Sequence, residues 1–252
     1  MSIDPAAVAL GAAACGAAGL LVPGLVRRIP EPAPEPDAGS DAGSDAGPDA
    51  APEQAKTPYA AIAAERSLPG VAVGTGLVAG GLVGASVGLA WPLLFLLPLV
   101  PVGVALAVVD LRTRLLPTVV VWPAFAGVAL LGCVSAALEH DGDALLRAWA
   151  GSAGVFAFFY ALWWIHPAGM GFGDVRLSAV LGFALGYLGW SELVIGVYGA
   201  FLAFSVPGLA LALARRDRGV LKVAYPFGPF LLGGALAGVV LGGPVWTHLV
   251  AG

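Results

Sequence analysis

The stretch PLLFLLPLVPVGVALAVVDLRTRLLP (92–117) contains eighteen uncharged residues before its first acid, Asp110. About 20 apolar residues in a helix cross the roughly 30 Å of hydrocarbon in a bilayer. Arg112 and Arg114 follow the apolar run, as basic residues do at the cytoplasmic end of a membrane helix. The stretch therefore predicts a transmembrane helix with a carboxyl group at its cytoplasmic end.

The composition of the whole chain agrees with a membrane protein. The 252 residues are 59% hydrophobic and 11% charged, whereas a soluble globular domain carries about 25% charged residues. These values exclude an ordinary soluble enzyme, a disordered protein and a nucleic-acid binder with a basic face. Cys15 and Cys133 lie in apolar runs and offer neither a disulfide framework nor zinc-ligand spacing.

Seven further apolar stretches recur, and together they predict an all-α bundle of about eight transmembrane helices without a soluble folded domain. The eight stretches are 5–26, 69–90, 92–109, 117–138, 145–165, 175–190, 192–214 and 227–250. With the N-terminus outside, alternate crossings leave only Arg147 on the outer side, a strong positive-inside bias. The cytoplasmic basic residues are then Arg27, Arg28, Lys56, Arg66, Arg112, Arg114, Arg176, Arg215, Arg216, Arg218 and Lys222.

An acidic segment separates two membrane regions. Residues 29–66 hold eight acids and two bases, and include the near-repeat DAGSDAGSDAGPDAAP (37–52). Gly and Pro oppose a helix, and the segment has little to bury, so it predicts a disordered cytoplasmic linker. The predicted organisation is an anchor helix at 1–28, this linker at 29–66 and a transmembrane core at 67–252.

The second apolar stretch carries a row of glycines at a spacing of four, Gly76, Gly80, Gly84 and Gly88. Residues four apart share one helix face, and small residues there let two membrane helices approach closely. We expect this face to be a packing surface.

Two aspartates stand out because ionisable residues at membrane depth are costly and are therefore functional candidates. Asp110 ends the third stretch, and Asp174 opens the sixth in GMGFGDVRL (169–177). Two crossings separate them, and an even number of crossings returns the chain to the same face. Each alone also fits a structural role, Asp174 as a helix N-cap and Asp110 as an interfacial partner of an arginine. The presence of both aspartates on one face of the membrane favours a catalytic role over two separate structural roles.

Paired aspartates are suited to hydrolysis of a peptide bond without a metal or cofactor. Two carboxyl groups in contact cannot both ionise, so they share a proton. One then acts as a base on water and the other as an acid. Gly169, Gly171 and Gly173 precede Asp174, and we expect them to admit an extended substrate backbone and to permit positive φ.

Three motifs resemble those of a known family. The segment GFGDVRL (171–177) is similar to the GxGD signature of intramembrane aspartyl proteases. More narrowly, DLRTRLLP (110–117), GMGFGDVRL (169–177) and YPFGPFLLGGAL (225–236) resemble the three marks of type IV prepilin peptidases, over residues 90–245.

The resemblance implies a membrane aspartyl endopeptidase that cuts short basic leaders from prepilins or prepilin-like proteins at the cytoplasmic face of the bacterial inner membrane. Asp110 and Asp174 would be the catalytic aspartates. Active-site support would come from Gly171, Gly173, Arg176, Pro117, Pro226, Phe227, Gly228 and Pro229.

The sequence departs from the family pattern at three places. Arg176 stands where the family usually has Lys, and Thr118 where it often has Asn. The cytoplasmic CxxC module that accompanies N-methylation in many members is replaced by the acidic linker, which predicts a peptidase without that module. His166 lies eight residues before Asp174, where an interfacial position is favoured over tuning of the aspartates.

The turn Pro226-Phe227-Gly228-Pro229 allows two interpretations. It is either a non-helical wall beside the aspartates or a simple helix start with proline in the first turn. The resemblance favours the wall.

Three other functions stay open on the residues alone. They are a proton-coupled transporter or channel, an assembly protein packed through glycine stripes, and an intramembrane aspartyl protease of other specificity. The partners implied by the leading interpretation are prepilin substrates and the lipid bilayer, with no nucleic acid. The oligomeric state is not encoded in any recognisable pattern.

Overall fold

The computed structural model describes residues 3–31, 58–215 and 226–250, and every regular element within these ranges is helical. The α-helices are α1 Pro5–Gly19, α2 Val22–Arg27, α3 Tyr59–Ala63, α4 Leu68–Val87, α5 Leu93–Thr113, α6 Thr118–Glu139, α7 Gly142–Ile165, α8 Phe172–Leu188, α9 Trp190–Arg215 and α10 Gly228–Val250. A short 3₁₀ turn, Pro167–Gly169, lies between α7 and α8. The predicted all-helical class is thus confirmed for the described residues.

Large apolar side chains cover the outside of the bundle, as a lipid-facing surface requires. Leu130, Leu146 and Trp164 are 66%, 70% and 73% exposed. Helices α4, α5, α6, α7 and α10 are long and apolar enough to cross a bilayer, while α1 and the first part of α9 are apolar but shorter. The described residues therefore form a multi-pass membrane bundle, and eight crossings with an outside N-terminus stay predictions.

The first predicted stretch is not one continuous helix. α1 ends at Gly19, and α2 begins at Val22 after a turn at Leu20 and Leu21. Pro23 lies in the first turn of α2, where its missing N–H costs nothing, but its ring would clash with a preceding helical turn. Hydropathy alone could not show this break.

The glycine row of α4 packs against α1, as predicted for three of its four members. A Cβ atom on Gly76 would collide with the carbonyl of Cys15, on Gly80 with that of Gly11, and on Gly84 with that of Ala7. Gly88 has a different role, since it ends α4 with a φ of 71°.

Both ends of the predicted linker are folded. Ile29, Tyr59 and Ile62 are buried in a cluster with the side of α5 that includes Val109. Burial raises the pKa of the Tyr59 phenol, and the neighbouring Thr113 side chain partly offsets that rise. The predicted linker is therefore too long at both ends, and its acidic repeat lies outside the described residues.

Helix α8 lies at the centre of the bundle. Thirteen of its 17 residues are buried, and it contacts α6, α7, α9 and α10. A helix buried on all sides has to carry small and apolar residues on every face. The consequence for the site is that the residue at its N-terminal end, Asp174, is held by protein rather than by lipid.

Candidate active site

Asp110 lies in the last turn of α5, and its side chain is 4% exposed. The helix ends because Arg114 adopts the left-handed conformation, with φ 56° and ψ 29°, and its N–H donates to the Asp110 carbonyl over 2.8 Å. Thr113 braces the turn, since its hydroxyl donates to the Val109 carbonyl over 2.8 Å. The chain then reverses through Leu116 into Pro117, the N-cap of α6.

Asp174 lies in the first turn of α8 and is 7% exposed. Its N–H donates to the Gly171 carbonyl over 3.1 Å, so Gly171 rather than Asp174 is the N-cap of the helix. One carboxyl oxygen, Oδ1, is buried and has no hydrogen-bond partner among the described residues. An unpaired buried polar atom is costly and points to a functional role.

The structure brings the two aspartates together at one end of the bundle. The segments that carry them touch through Leu116 and Gly173. A Cβ on Gly173 would lie 2.6 Å from the Cβ of Leu116, so only glycine allows this approach. Two carboxyl groups at one end of the bundle are the kind of groups that general acid and base chemistry uses.

The glycines before Asp174 serve a different purpose from the predicted one. Gly171 has a φ of −69°, and the positive-φ glycine of the described residues is Gly88, so no left-handed conformation is used in this turn. The space in front of Gly173 is filled by Leu116. Gly171 is exposed, and a Cβ there would lie 3.4 Å from Asp174 Oδ2. Of these two glycines, only Gly171 leaves open space beside the carboxyl group.

The start of α10 lies directly against Asp110. The N–H of Gly228, the first residue of α10, donates to Asp110 Oδ2 over 3.0 Å, and both residues are buried. Gly228 and Pro229 begin the helix, as the second interpretation predicts, whereas Pro226 and Phe227 precede it and are not helical. The turn lies beside Asp110. Pro226 and Pro229 flank it and are partly buried.

Phe227 anchors this helix start. Its ring contacts those of Phe159, Phe201 and Phe204, with centroids 6.0, 5.3 and 5.2 Å away. Its carbonyl accepts the N–H of Leu231 over 3.0 Å. The aromatic cluster thus fixes the position from which Gly228 reaches Asp110.

Arg176 connects the two aspartate-bearing segments from the outside. Its guanidinium donates to the Thr118 hydroxyl at the start of α6 and lies 4.7 Å from the centroid of the Phe172 ring. Sequence reasoning noted Thr118 only as a departure from the family pattern. Its position directly after Pro117 was the available signal for this contact.

An apolar groove of about 330 Å³ runs between α4, α5, α8 and α10. At one end it is lined by Leu111 and Pro229, the neighbours of Asp110 and Gly228. Farther along, its walls include Thr75, Ala107, Leu181 and Leu236. The groove therefore runs from the apolar part of the bundle to the helix ends that carry Asp110 and Gly228.

The remaining candidates are not part of the aspartate pair. His166 is exposed at the C-terminal end of α7. Across the described ranges, no group of three or more His, Cys, Asp or Glu side chains could hold a metal ion.

Fold and site together define a class: a multi-pass helical membrane protein with a buried aspartate pair at one end of the bundle. Residues 93–213 match the profile of the type IV leader peptidase family. This match confirms the family recognised from the motifs, over a shorter range than the expected 90–245. The third motif lies beyond the matched residues.

Curated relatives agree with the family match. The chain is 33% identical over 153 residues to "Prepilin leader peptidase/N-methyltransferase" of Aeromonas salmonicida (strain A449), covering 59% of this chain and 48% of that protein. It is 31% identical over 153 residues to the protein of the same name from Burkholderia pseudomallei (strain 1026b), covering 58% and 45%. It is 38% identical over 101 residues to "Leader peptidase HopD" of Escherichia coli, covering 39% and 59%.

The chain spans about half the length of the peptidase/N-methyltransferase relatives that it matches. No solved structure matches it significantly.

Proposed function

We propose that this protein is a membrane aspartyl endopeptidase that removes short basic leaders from type IV prepilins or prepilin-like proteins at the cytoplasmic face of the bacterial inner membrane. The observation that carries the proposal is the pair of buried carboxyl groups, Asp110 in the last turn of α5 and Asp174 in the first turn of α8, on segments that touch through Leu116 and Gly173. The family of residues 93–213 and the printed names of the relatives support the same activity.

The chemistry needs only the two carboxyl groups and a water molecule. An ionised aspartate takes one proton from the water, and the resulting hydroxide attacks the carbonyl carbon of the scissile bond. The protonated partner gives its proton to the carbonyl oxygen. When the C–N bond breaks, the leaving nitrogen takes up the proton that the base took from water, and a hydroxyl group of the tetrahedral diol returns its proton to the other aspartate as the new carboxyl group forms. Each turnover thus consumes one water and restores the shared proton.

The apolar groove offers a place for the rest of the substrate. A prepilin joins a basic leader to an apolar helix, and the groove ends beside Asp110 at Leu111 and Pro229. With the helix against the groove, the scissile bond reaches the aspartates and the leader extends into the cytoplasm. The acidic linker favours a basic leader by long-range attraction that salt screens.

The methyltransferase activity named in several relatives is not part of this proposal. The sequence has two cysteines, Cys15 and Cys133, and no CxxC pair. We propose that this chain acts as a peptidase alone.

The decisive experiment follows cleavage of a candidate prepilin by purified protein in lipid vesicles. Asp110→Asn and Asp174→Asn each retain shape but cannot exchange a proton. We expect each to lower the cleavage rate by at least about 10²–10⁴-fold, the usual contribution of a positioned acid or base. A gel shift of the substrate measures the rate.

Asp143→Asn is the matched control, since this exposed aspartate lies in the first turn of α7. It should cleave at the rate of the unmodified protein. Full cleavage by both site variants would eliminate the proposal. Proton flux into vesicles that depends on Asp110 and Asp174 would favour the transporter alternative.

A further inference from the structure

We propose that the two aspartates are not equivalent at rest: Asp110 is the ionised base, Asp174 is the protonated acid, and the N–H of Gly228 holds this order. The inference rests on the proposed function and deepens it, because it names the residue that activates the water. Gly228 acts as a positioning residue through its backbone.

The surroundings of Asp110 favour its charged form. Its Oδ2 accepts the buried N–H of Gly228 over 3.0 Å. That donor belongs to the first turn of a 23-residue helix, where N–H groups lack partners within the helix and the macrodipole is positive. A hydrogen bond from such a donor is stronger to a carboxylate than to a neutral carboxyl group.

The surroundings of Asp174 favour its neutral form. Its Oδ1 is buried without a partner among the described residues, so a negative charge there lacks compensation. The Asp174 carboxyl group also meets the Gly171 backbone N–H, but Gly171 is exposed and water can replace that donor. Two adjacent carboxyl groups share one proton, and these contacts place it on Asp174.

Two cations close to the pair, Arg112 and Arg176, have partners other than the aspartates, and the Arg114 side chain is exposed to solvent. Arg112 forms an ion pair with Glu65 at 2.7 Å. Arg176 contacts Thr118 and the Phe172 ring.

The assignment fixes the direction of proton transfer. Asp110 takes a proton from water and becomes neutral while the new C–O bond forms. Asp174 gives its proton to the substrate carbonyl oxygen and becomes charged. The pair therefore ends the first step with its protonation inverted, and the Asp110 proton is the one available to the leaving nitrogen.

The first test measures which of the two aspartates is protonated, in the absence of substrate. At neutral pH, the infrared C=O stretching band of a protonated carboxyl group should be present in the unmodified protein in vesicles. It should persist in Asp110→Asn and disappear in Asp174→Asn. A band lost in Asp110→Asn and kept in Asp174→Asn, or absent from the unmodified protein, would overturn the assignment.

The second test isolates the Gly228 N–H. Gly228→Ala and Gly228→Pro both add a Cβ, which would lie 2.7 Å from Asp110 Oδ2, but only proline removes the donor. Proline is accepted in the first turn of a helix. Relative to the alanine variant, we expect the acid limb of kcat/KM to move to higher pH by about one unit, since the base loses its donor.

Superimposable pH profiles of the two variants would overturn the role of Gly228. If Gly228→Pro fails to fold, the infrared comparison of the aspartate variants decides the assignment. A protein that shows the expected bands but cuts no prepilin would refute the proposed function and leave the protonation order standing. Normal cleavage of prepilin by a protein whose band is lost in Asp110→Asn and kept in Asp174→Asn would support the proposed function and refute the protonation order.

Discussion

At the scale of single residues, side chains outside the aspartate pair keep its two segments in place. Arg176 on α8 donates to Thr118 on α6, and Thr118 directly follows the chain reversal that begins at Asp110. This contact and the approach of Leu116 to Gly173 both link the segments. Both contacts hold these segments against each other.

Removing the Thr118 hydroxyl tests this bracing. Thr118→Val keeps the branched shape but cannot accept the hydrogen bond. We expect kcat for prepilin cleavage to fall by about 5–10-fold, the equivalent of one net hydrogen bond, with little change in KM. Steady-state cleavage in vesicles measures both constants.

Thr247→Val provides the control, because that hydroxyl is exposed in α10 and donates to the Gly243 carbonyl in its own helix. It should leave kcat unchanged. Equal rates for the two valine variants would show that the Arg176 contact does not position the aspartates.

The sequence predicts the aspartates far better than the groups that hold them. Asp110 and Asp174 are visible because charge at membrane depth is rare, and counting the crossings between them places both at one end. The contacts of Gly228 with Asp110 and of Gly173 with Leu116 join residues that are far apart in the sequence. They depend on how closely two backbone segments approach each other in the folded protein. No local pattern encodes which atom lies opposite a glycine.

At the scale of elements, close packing between helices explains most of the glycines that the sequence singles out. α1 and α4 approach until carbonyl oxygens of α1 occupy the places of missing side chains on α4. Such packing provides the van der Waals contact that drives helix association in lipid, where no hydrophobic effect operates. The pair then supports the apolar groove from the α4 side.

Two alanine substitutions on α4 separate packing from helix propensity. Gly80→Ala places a methyl group against Gly11 and Cys15 of α1, whereas Gly74→Ala meets open space. We expect Gly80→Ala to lower the free energy of unfolding by about 1–3 kcal/mol, the usual cost of overpacking. Gly74→Ala should be neutral or slightly stabilising, because alanine is the better helix former.

Reversible unfolding of the two variants in mixed micelles, followed by circular dichroism, gives the comparison. The interpretation of the glycine row as a packing surface is wrong if both variants unfold at the same denaturant concentration.

The elements that sequence reasoning missed did carry local signals. Pro23 fits the first turn of a new helix and marks the break between α1 and α2. Tyr59 and Ile62 are three residues apart, the spacing of one helix face, and both are buried. The acidic composition of the surrounding segment hid this short helix.

At the scale of the whole molecule, the charge distribution predicts which end of the bundle faces the cytoplasm. Eleven basic residues would lie on the side of the aspartates and one, Arg147, on the other. Arg147 donates to the carbonyls of Gly186 and Tyr187 at the C-terminal end of α8, opposite Asp174. Arg147, the single exception to the positive-inside bias, thus has a structural role at this end of α8.

Labelling with a membrane-impermeant thiol reagent tests this orientation. In a protein with Cys15 and Cys133 replaced, we expect Asp143→Cys to react in intact spheroplasts. Arg66→Cys should react only after the membrane is opened, because positive residues are retained inside. Both positions are exposed. The reverse pattern would place the aspartates on the outer face.

The class of the molecule was readable from the sequence, whereas its internal arrangement was not. Each of the eight apolar stretches is mainly helical, because lipid does not satisfy backbone polar groups that are left unpaired. Which helix occupies the centre depends on how faces match across the bundle. The groove between α4, α5, α8 and α10 arises from that matching and has no linear signature.

The central position of α8 has a further consequence for the membrane in which the protein works. At about 1.5 Å per residue, its 17 residues span roughly 25 Å, less than a typical hydrocarbon core. Since neighbouring helices surround it, α8 bears no mismatch cost of its own, and thicker or thinner bilayers strain the peripheral helices first. The depth of Asp174 is consequently set by the protein, and we expect the proposed reaction centre to tolerate changes in acyl-chain length.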